Sequence, residues 1–234
     1  MPRPTLHDRR RPLTAPELAS IPWLEQLEQL EYDRAVSQLR VSEAEPGELI
    51  CRIGHPVTYW FGVVDGLLKM STATEQGRAI TYTGLTPGGW FGEGTALKRE
   101  PYRYDIQALR RSLVAGLPVD TFHWLLGRSI GFNRFIMGQL NERLAQFIGT
   151  IAAGRSANPE QRVARSLGAL VNPVLFPGVG EVLRITQQEL AYLVGLSRQR
   201  VNEALHTLAA DGLLRVEYGG LRILDLTTLR SLYF

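Results

Sequence analysis

The sequence predicts an α+β fold in three parts: an N-terminal antiparallel β jelly roll or barrel, one long helix, and a C-terminal winged helix-turn-helix. Three observations predict this fold. Short apolar runs separated by glycine and proline turns fill residues 41–118. A long amphipathic stretch follows them. Two helical segments with capping residues then follow, and after them a predicted β-hairpin whose turn is Gly-Gly.

Size and composition permit this organisation and exclude several classes of site. The chain has 234 residues, of which 44% are apolar, and this suffices for two modest domains with ordinary cores. The net charge of +3 permits a nucleic-acid partner without demanding one. The single cysteine, Cys51, excludes a disulfide framework, a cysteine-rich zinc site and a four-cysteine iron–sulfur cluster within one chain. We expect Cys51 to be a buried structural thiol.

The N-terminal region divides into a tail, a helical segment and a series of strands. Residues 1–20 are rich in proline and arginine, which is typical of a flexible tail, and residues 21–40 suggest one or two short helices. Strands at a spacing of roughly 8–12 residues with Gly/Pro turns favour a small antiparallel barrel, whose interior can hold a small ligand. The predicted strands cover residues 49–53, 58–63, 67–74, 79–85, 90–91, 104–109 and 113–117.

After the barrel, apolar residues recur at intervals of three and four and predict one helix from about residue 131 to 153. Polar residues that include Gln139, Arg143 and Gln146 are assigned to its other faces. A helix of this length between two domains cannot bury its apolar stripe locally, so we expect it to pair with its twin as a parallel coiled coil. Packing of the stripe on its own barrel is the alternative. The predicted dimer interface consists of Ile136, Leu140, Leu144, Phe147 and Ile151.

The segment from Thr186 to Ala210 predicts a helix-turn-helix. Thr186 and Glu189 have the spacing of a capping box, and Gly195 supplies the left-handed position of a tight turn. Ser197 can cap the second helix. Residues 213–218 and 221–224 then suggest two strands around a Gly-Gly turn, which completes a winged helix. Asn158-Pro159 predicts the start of the helix that opens this domain.

The outward side chains of the second helix can reach base edges in a major groove, and the wing can lie along the phosphate backbone. The candidate DNA-binding residues are Thr186, Gln187, Ser197, Arg198, Gln199, Arg200, Asn202, Glu203, Arg215 and Arg222.

The order of β-barrel, long helix and winged helix resembles the Crp/Fnr family of bacterial transcription regulators over about residues 20–230. The most specific parts are Ile185–Ala191 with Gly195 and Ser197–Val201, and the glycine-framed run of Gly77, Pro87-Gly88 and Phe91-Gly92-Glu93. The resemblance implies a homodimer that binds a two-fold double-stranded DNA operator and recruits or blocks RNA polymerase. It also implies a barrel that senses a small molecule. The domains are then a tail (1–20), an effector-sensing barrel (21–130), a dimerisation helix (131–155) and a DNA-binding domain (156–234).

The best-known members bind cyclic AMP, and the resemblance locates the elements that this ligand needs. Gly92-Glu93 matches the amide and ribose element. The phosphate element is normally Arg followed by Ser or Thr, but Tyr102-Arg103 stands there. Small hydroxyl residues on the long helix are replaced by Phe147-Ile148. Two of three elements are absent, so we expect a signal other than cyclic AMP. The candidate effector pocket is Gly92, Glu93, Tyr102, Arg103, Leu144, Phe147 and Ile148.

Other functions remain as alternatives: a cyclic-AMP-responsive regulator, a cupin-like metal enzyme, and a module whose winged helix makes only protein contacts. A cupin-like enzyme needs clustered histidine and carboxylate ligands, and no His-x-His or similar spacing occurs. We therefore expect no catalytic residues, no metal site and no certain cofactor beyond an effector of unknown identity. The sequence contains no apolar run of about 18 residues and no secretory leader, so we expect a cytoplasmic protein without membrane contact.

Overall fold

The computed structural model describes residues 9–73, 79–152 and 158–231. The helices within them span Ala15–Ala19 (α1), Gln29–Gln38 (α2), Glu93–Lys98 (α3), Val119–Leu126 (α4), Ile130–Ala152 (α5), Pro159–Leu170 (α6), Gln187–Val194 (α7), Arg198–Ala210 (α8) and Leu226–Ser231 (α9), with a 3-10 turn at Leu24–Gln26. None of the helices in these ranges has the length and apolar content needed to cross a bilayer.

The strands form two four-stranded antiparallel sheets and one three-stranded sheet. They span Arg40–Ala44 (β1), Leu49–Cys51 (β2), Tyr59–Asp65 (β3), Leu68–Ala73 (β4), Ala79–Leu85 (β5), Trp90–Phe91 (β6), Asp105–Ala108 (β7), Ser112–Pro118 (β8), Val182–Leu183 (β9), Leu214–Glu217 (β10) and Gly220–Ile223 (β11). The sheet orders are β1-β8-β3-β6, β2-β7-β4-β5 and β10-β11-β9. The first two sheets build the predicted jelly roll.

Seven of the barrel strands lie within two residues of their predicted positions, whereas two elements of the barrel, β1 and α3, were not predicted. β1 was missed because its alternation begins inside a segment predicted as helical. Helix α3 was missed because it has only six residues, too few for a periodic pattern. It begins at Gly92, whose φ of 85° lies in the left-handed region that glycine adopts without strain.

Part of the predicted flexible tail is structured, so that prediction was wrong for residues 9–20. Arg9 forms an ion pair with Glu48 at 2.5 Å, and Arg11 pairs with the backbone of Val41. Helix α1 follows, with Glu17 closing a capping box. The ion pair of Arg9 and the backbone hydrogen bonds of Arg11 hold the segment on the barrel, and a local sequence pattern does not reveal partners 30 or more residues away. Residues 1–8 lie outside the described residues.

The long helix is anchored in the barrel core by aromatic rings. Trp60 and Trp90 lie 4.3 Å apart between ring centroids, and Trp23 lies 5.2 Å from Trp90. Phe132, in the first turn of α5, lies 5.4 Å from Trp23 and is fully buried. Edge-on contacts of this kind add to the free energy gained from burying the rings. The first turns of α5 therefore belong to the barrel core.

The rest of α5 has a face buried against the barrel and a separate exposed apolar face, rather than the single stripe that was predicted. Ile136 is only 2% exposed and packs in the barrel core, so its assignment to the dimer interface was wrong. Gln139 and Arg143, assigned to other faces, are buried too. Both are polar, but Gln139 donates to the Val174 carbonyl, and Arg143 donates to Glu93 and to the Trp90 carbonyl. A one-dimensional pattern cannot show such partners. Residues 153–155, the end of the predicted helix domain, lie outside the described ranges.

A second core forms the winged-helix unit and joins it to the barrel. Leu67, at the turn before β4, is fully buried among residues of α6, α7 and α8. The Thr86 hydroxyl donates to the Leu170 carbonyl at 2.9 Å, and Arg110 donates to the Arg184 carbonyl at 2.8 Å. The DNA-binding unit thus packs against the β4–β5 side of the barrel in this structure.

Candidate DNA interface and effector site

The helix-turn-helix forms as its caps predict. The Thr186 hydroxyl accepts from the Glu189 amide while the Glu189 carboxylate accepts from the Thr186 amide. Gly195 ends α7 with a φ of 65°. Ser197 caps α8 by accepting from the Arg200 amide at 3.3 Å. The turn and caps therefore fix the direction in which α8 leaves the body of the domain.

The buried face of α8 is apolar and its first turns are exposed. Val201, Ala204 and Leu205 are at most 1% exposed, and they hold the helix against α6 and α7. The exposed residues are Ser197, Arg198, Gln199, Arg200 and Glu203, and Asn202 is half-buried. This placement leaves the predicted base-reading side chains free to enter a groove.

Hydrogen bonds already orient several of these side chains. Gln187 donates to the Asn202 side chain at 2.8 Å, which joins the start of α7 to α8. Gln199 donates to the Glu203 carboxylate at 3.0 Å. The Thr186 hydroxyl is engaged by its cap. Within the described ranges Arg198 and Arg200 take part in no ion pair, so their charges are available to an external partner.

The two candidate arginines of the wing differ. Arg215 and Arg222 are register partners across β10 and β11. Arg222 is held by Glu217 at 2.6 Å and by Glu181 at 2.5 Å. These carboxylates raise the pKa of Arg222 and offset its charge. Arg215 is exposed and has no ion pair with any residue of the described ranges, so it is the stronger candidate for a phosphate contact.

Glu93 of the candidate effector pocket is already paired through one of its two oxygens, while its Oε2 has no hydrogen-bond partner among the described residues. It is 2% exposed, and its Oε1 accepts from Arg143 Nε at 2.7 Å. Arg143 Nη2 also donates to the Trp90 carbonyl at 2.7 Å. Arg143 lies in α5, 50 residues further along the chain, and sequence reasoning assigned it to another face. The ion pair ties the long helix to the start of α3.

Tyrosines line the rest of this site. Tyr104 lies beside Gly92, and burial raises the pKa of the Tyr104 phenol to about 12. Tyr102 is buried and donates to the Tyr59 carbonyl at 3.0 Å. Arg103 points away, since its side chain is 78% exposed and pairs with Glu100. Arg103 is therefore exposed, whereas its neighbours Tyr102 and Tyr104 are buried and half-buried.

The helix residues assigned to the same pocket do not come together there within one chain. Leu144 and Ile148 are 59% and 53% exposed, and Phe147 faces α6 across a different cavity. The predicted pocket is therefore split. Gly92, Glu93 and Tyr102 share one site, whereas Arg103, Leu144, Phe147 and Ile148 lie elsewhere, because the helix turns Arg143 towards the barrel.

Comparison with known proteins agrees with this architecture. The cyclic nucleotide-binding domain model matches residues 41–129, and the Crp-like helix-turn-helix domain model matches residues 161–232. The chain belongs to the Crp/Fnr family. It is accordingly a DNA-binding transcriptional regulator with a cyclic-nucleotide-binding-like domain.

Individual relatives of this Crp/Fnr protein are distant. Transcriptional regulator SdrP of Thermus thermophilus is 29% identical over 174 residues, which cover 74% of this chain and 82% of the relative. The CRP-like cAMP-activated global transcriptional regulator of Mycobacterium tuberculosis is 27% identical over 199 residues, which cover 80% and 85%. The structure of FixK2 from Bradyrhizobium japonicum superposes with a TM-score of 0.63 at 18% identity, covering 83% and 96%, and supports the fold.

One feature of this Crp/Fnr chain was missed although the sequence carries its signal. Ile130, Met137, Leu144 and Ile151 follow one another at intervals of seven, and they are 70%, 60%, 59% and 79% exposed. Such spacing is the mark of a coiled-coil seam. The predicted interface contained Leu144 and Ile151, together with Ile136, Leu140 and Phe147, but lacked Ile130 and Met137.

Proposed function

We propose that the chain works as a homodimer that reads a two-fold DNA operator and responds to a signal other than cyclic AMP. The observation that carries the proposal is the pair of exposed surfaces on one chain. One is the polar start of α8 with Arg198, and the other is the apolar heptad face of α5. The first suits a major groove, and the second suits a second copy of the same helix.

The exposed heptad face supports the dimer. Four large apolar side chains at intervals of seven, with Leu140 between them at 36% exposure, form a continuous apolar strip on a helix of 23 residues. A strip of this length left in water is costly, and pairing two such helices in parallel removes both strips from water. Parallel pairing also relates the two α8 helices by a two-fold axis, which matches two half-sites about 34 Å apart.

A signal other than cyclic AMP is supported by the charges of the barrel site. A cyclic phosphate needs a positive group in the pocket and a free acceptor for its ribose hydroxyl. Here Arg103, the candidate from the sequence, lies in solvent, while Arg143 already engages Glu93. A cyclic phosphate would therefore have to compete with Glu93 for the charge of Arg143. The tyrosine-rich lining favours a less polar signal.

The DNA contacts are tested with Arg198→Ala. Bound sequences are first selected from random DNA, and affinities are then measured at fixed salt for the best site and its single-base variants. We expect a loss of about 1–3 kcal/mol at the best site and relaxed preference at one base pair. Arg200→Ala is the matched control, and it should weaken all sequences alike. If Arg198→Ala lowered the affinity for all sequences equally, Arg198 would instead be a phosphate contact. If the protein retained no DNA in the selection, the proposal of DNA binding as a whole would be contradicted.

The signal is tested by calorimetric titration of the purified chain with cyclic AMP. We expect no saturable binding at micromolar concentration. Micromolar binding would overturn this part of the proposal and leave the DNA-binding part intact.

We also propose that the bound dimer recruits or blocks RNA polymerase. Run-off transcription from a promoter that carries the selected site should change when the protein is added, and an unchanged transcript yield would contradict it.

A further inference from the structure

A cavity lies where the barrel, the long helix and the winged-helix unit meet. It is lined by β5, by the second half of α5 and by α6, α7 and α9, and its volume is about 280 Å³. It is separate from the Glu93 site, since no residue of that site lines it. Its walls include Thr83, Gln146, Phe147, Arg162, Arg165 and Arg230.

The charges of the lining residues do not balance. Three arginines face one carboxylate, Glu142. Arg230 donates to Glu142 Oε1 at 2.6 Å and Asn172 donates to the same oxygen at 2.7 Å, so the charge of this carboxylate is already paired. Arg162 donates to the neutral carbonyl of Val194 at 2.5 Å. In the described ranges neither Arg162 nor Arg165 forms an ion pair with an acid, so the exposed Arg162 and the half-buried Arg165 bring two positive charges to the cavity.

Polar atoms in the cavity wall also lack partners. The amide oxygen and nitrogen of Gln146 and the Nε of Arg165 are inaccessible to solvent and have no hydrogen bond to the described residues. Natural proteins seldom leave such atoms unpaired, and a bound group is one common way to satisfy them. Gln146 offers a donor and an acceptor side by side, while Arg165 offers donors and charge.

We propose that this cavity binds a small organic anion that carries a phosphate or carboxylate group. The oxyanion pairs with Arg162 and Arg165, a hydroxyl or carbonyl of the ligand pairs with Gln146, and its carbon skeleton lies against Phe147 and Leu193. A volume of about 280 Å³ lies just below the usual range for ligand pockets, roughly 300–1,000 Å³, and suits a small compound such as a sugar phosphate or a tricarboxylate. Because Gln146 lies in α5 and Arg165 in α6, the ligand links the long helix to the DNA-binding unit.

The experiment uses the purified full-length chain in a buffer free of phosphate and carboxylates, at constant ionic strength. Calorimetric titration compares inorganic pyrophosphate with citrate, which separates the two oxyanion sources, and includes glucose as a neutral probe. We expect saturable binding of one of the two anions and none of glucose. No saturable binding of either anion up to roughly 10 mM would overturn the proposal, since a complex with a dissociation constant near 1 mM would register there.

Variants assign the binding to the cavity. Arg165→Gln should weaken it roughly 10- to 100-fold, and Arg165→Lys should restore part of the loss. Gln146→Leu should weaken it without lowering the melting temperature, because the change removes two unpaired buried atoms. Arg103→Gln, which removes an exposed arginine remote from the cavity, is the matched control. Equal weakening in Arg165→Gln and Arg103→Gln would show diffuse charge attraction and contradict the site. Binding of the selected DNA, measured without any anion, tests the proposed function separately.

Discussion

The ion pair between Glu93 and Arg143 makes a sharp prediction about stability. The two side chains are only 3% and 10% exposed, and their N–O distance is 2.7 Å. Arg143→Met keeps the length of the arginine stem but leaves a carboxylate that is charged, buried and without its partner. Removing one member of a buried pair costs about 3–5 kcal/mol. The Trp90 carbonyl loses its donor as well, so we expect the upper half of this range.

The double variant separates the pair from its surroundings. Glu93→Leu alone should cost about 3–5 kcal/mol, because it strands the arginine. Glu93→Leu with Arg143→Met replaces both charges by apolar groups of similar size, and such replacements are often neutral or stabilising. We therefore expect the double variant to be more stable than either single variant. The coupling free energy between the two substitutions should be several kcal/mol, which is as large as the loss of stability in one single variant or larger.

Urea unfolding followed by tryptophan fluorescence measures these changes. Tryptophan occurs at positions 23, 60, 90 and 124, all in the N-terminal part of the chain, so the signal reports on the barrel. Protein concentration must be held constant if the chain dimerises. Arg103→Met is the control, because its exposed pair with Glu100 should be worth at most about 1 kcal/mol. A loss in Arg143→Met no larger than in this control would refute the reasoning.

Three further predictions concern the wing, the long helix and the cysteine. Arg215→Ala should weaken DNA binding for all sequences and reduce the salt dependence of that binding by about one ion. Arg222→Ala should weaken binding less, because Glu217 and Glu181 already offset the charge of Arg222. Equal losses of affinity in gel shifts of the two variants would contradict this. Leu144→Glu should shift the chain to monomers in sedimentation velocity, and Leu30→Glu, at a similarly exposed leucine on α2, should not. Burial raises the pKa of Cys51 to about 12, so iodoacetamide at pH 8 should label it only in urea.

Local signals in the sequence determined most of the elements. The Thr186–Glu189 box, Gly195 and Ser197 predicted both helices of the helix-turn-helix, because caps and left-handed turns depend only on residues three or four apart. The wing followed from its Gly-Gly turn and alternating strands. Asn158-Pro159 gave the start of α6 for the same reason.

The orientation of α5 could be predicted only in part. The 3.6-residue period showed that a helix exists, but it did not show that Ile136 and Arg143 face the barrel while Met137 and Leu144 face away. A stricter search for intervals of seven would have found Ile130 and Met137. The polar partners of the buried face, such as the Trp90 carbonyl for Arg143, were not visible in the pattern.

The sequence by itself determined which segments become helices, strands and turns, and therefore the class of DNA-reading fold, since those choices depend on neighbours along the chain. The tertiary structure decided which charges remain free. It turned Arg103 to solvent, joined Glu93 to a residue 50 positions away, and gathered Arg162 and Arg165 around a cavity facing Gln146. Electrostatic and hydrogen-bond partners are set by distance in space, and that distance exists only once the sheets and helices have packed.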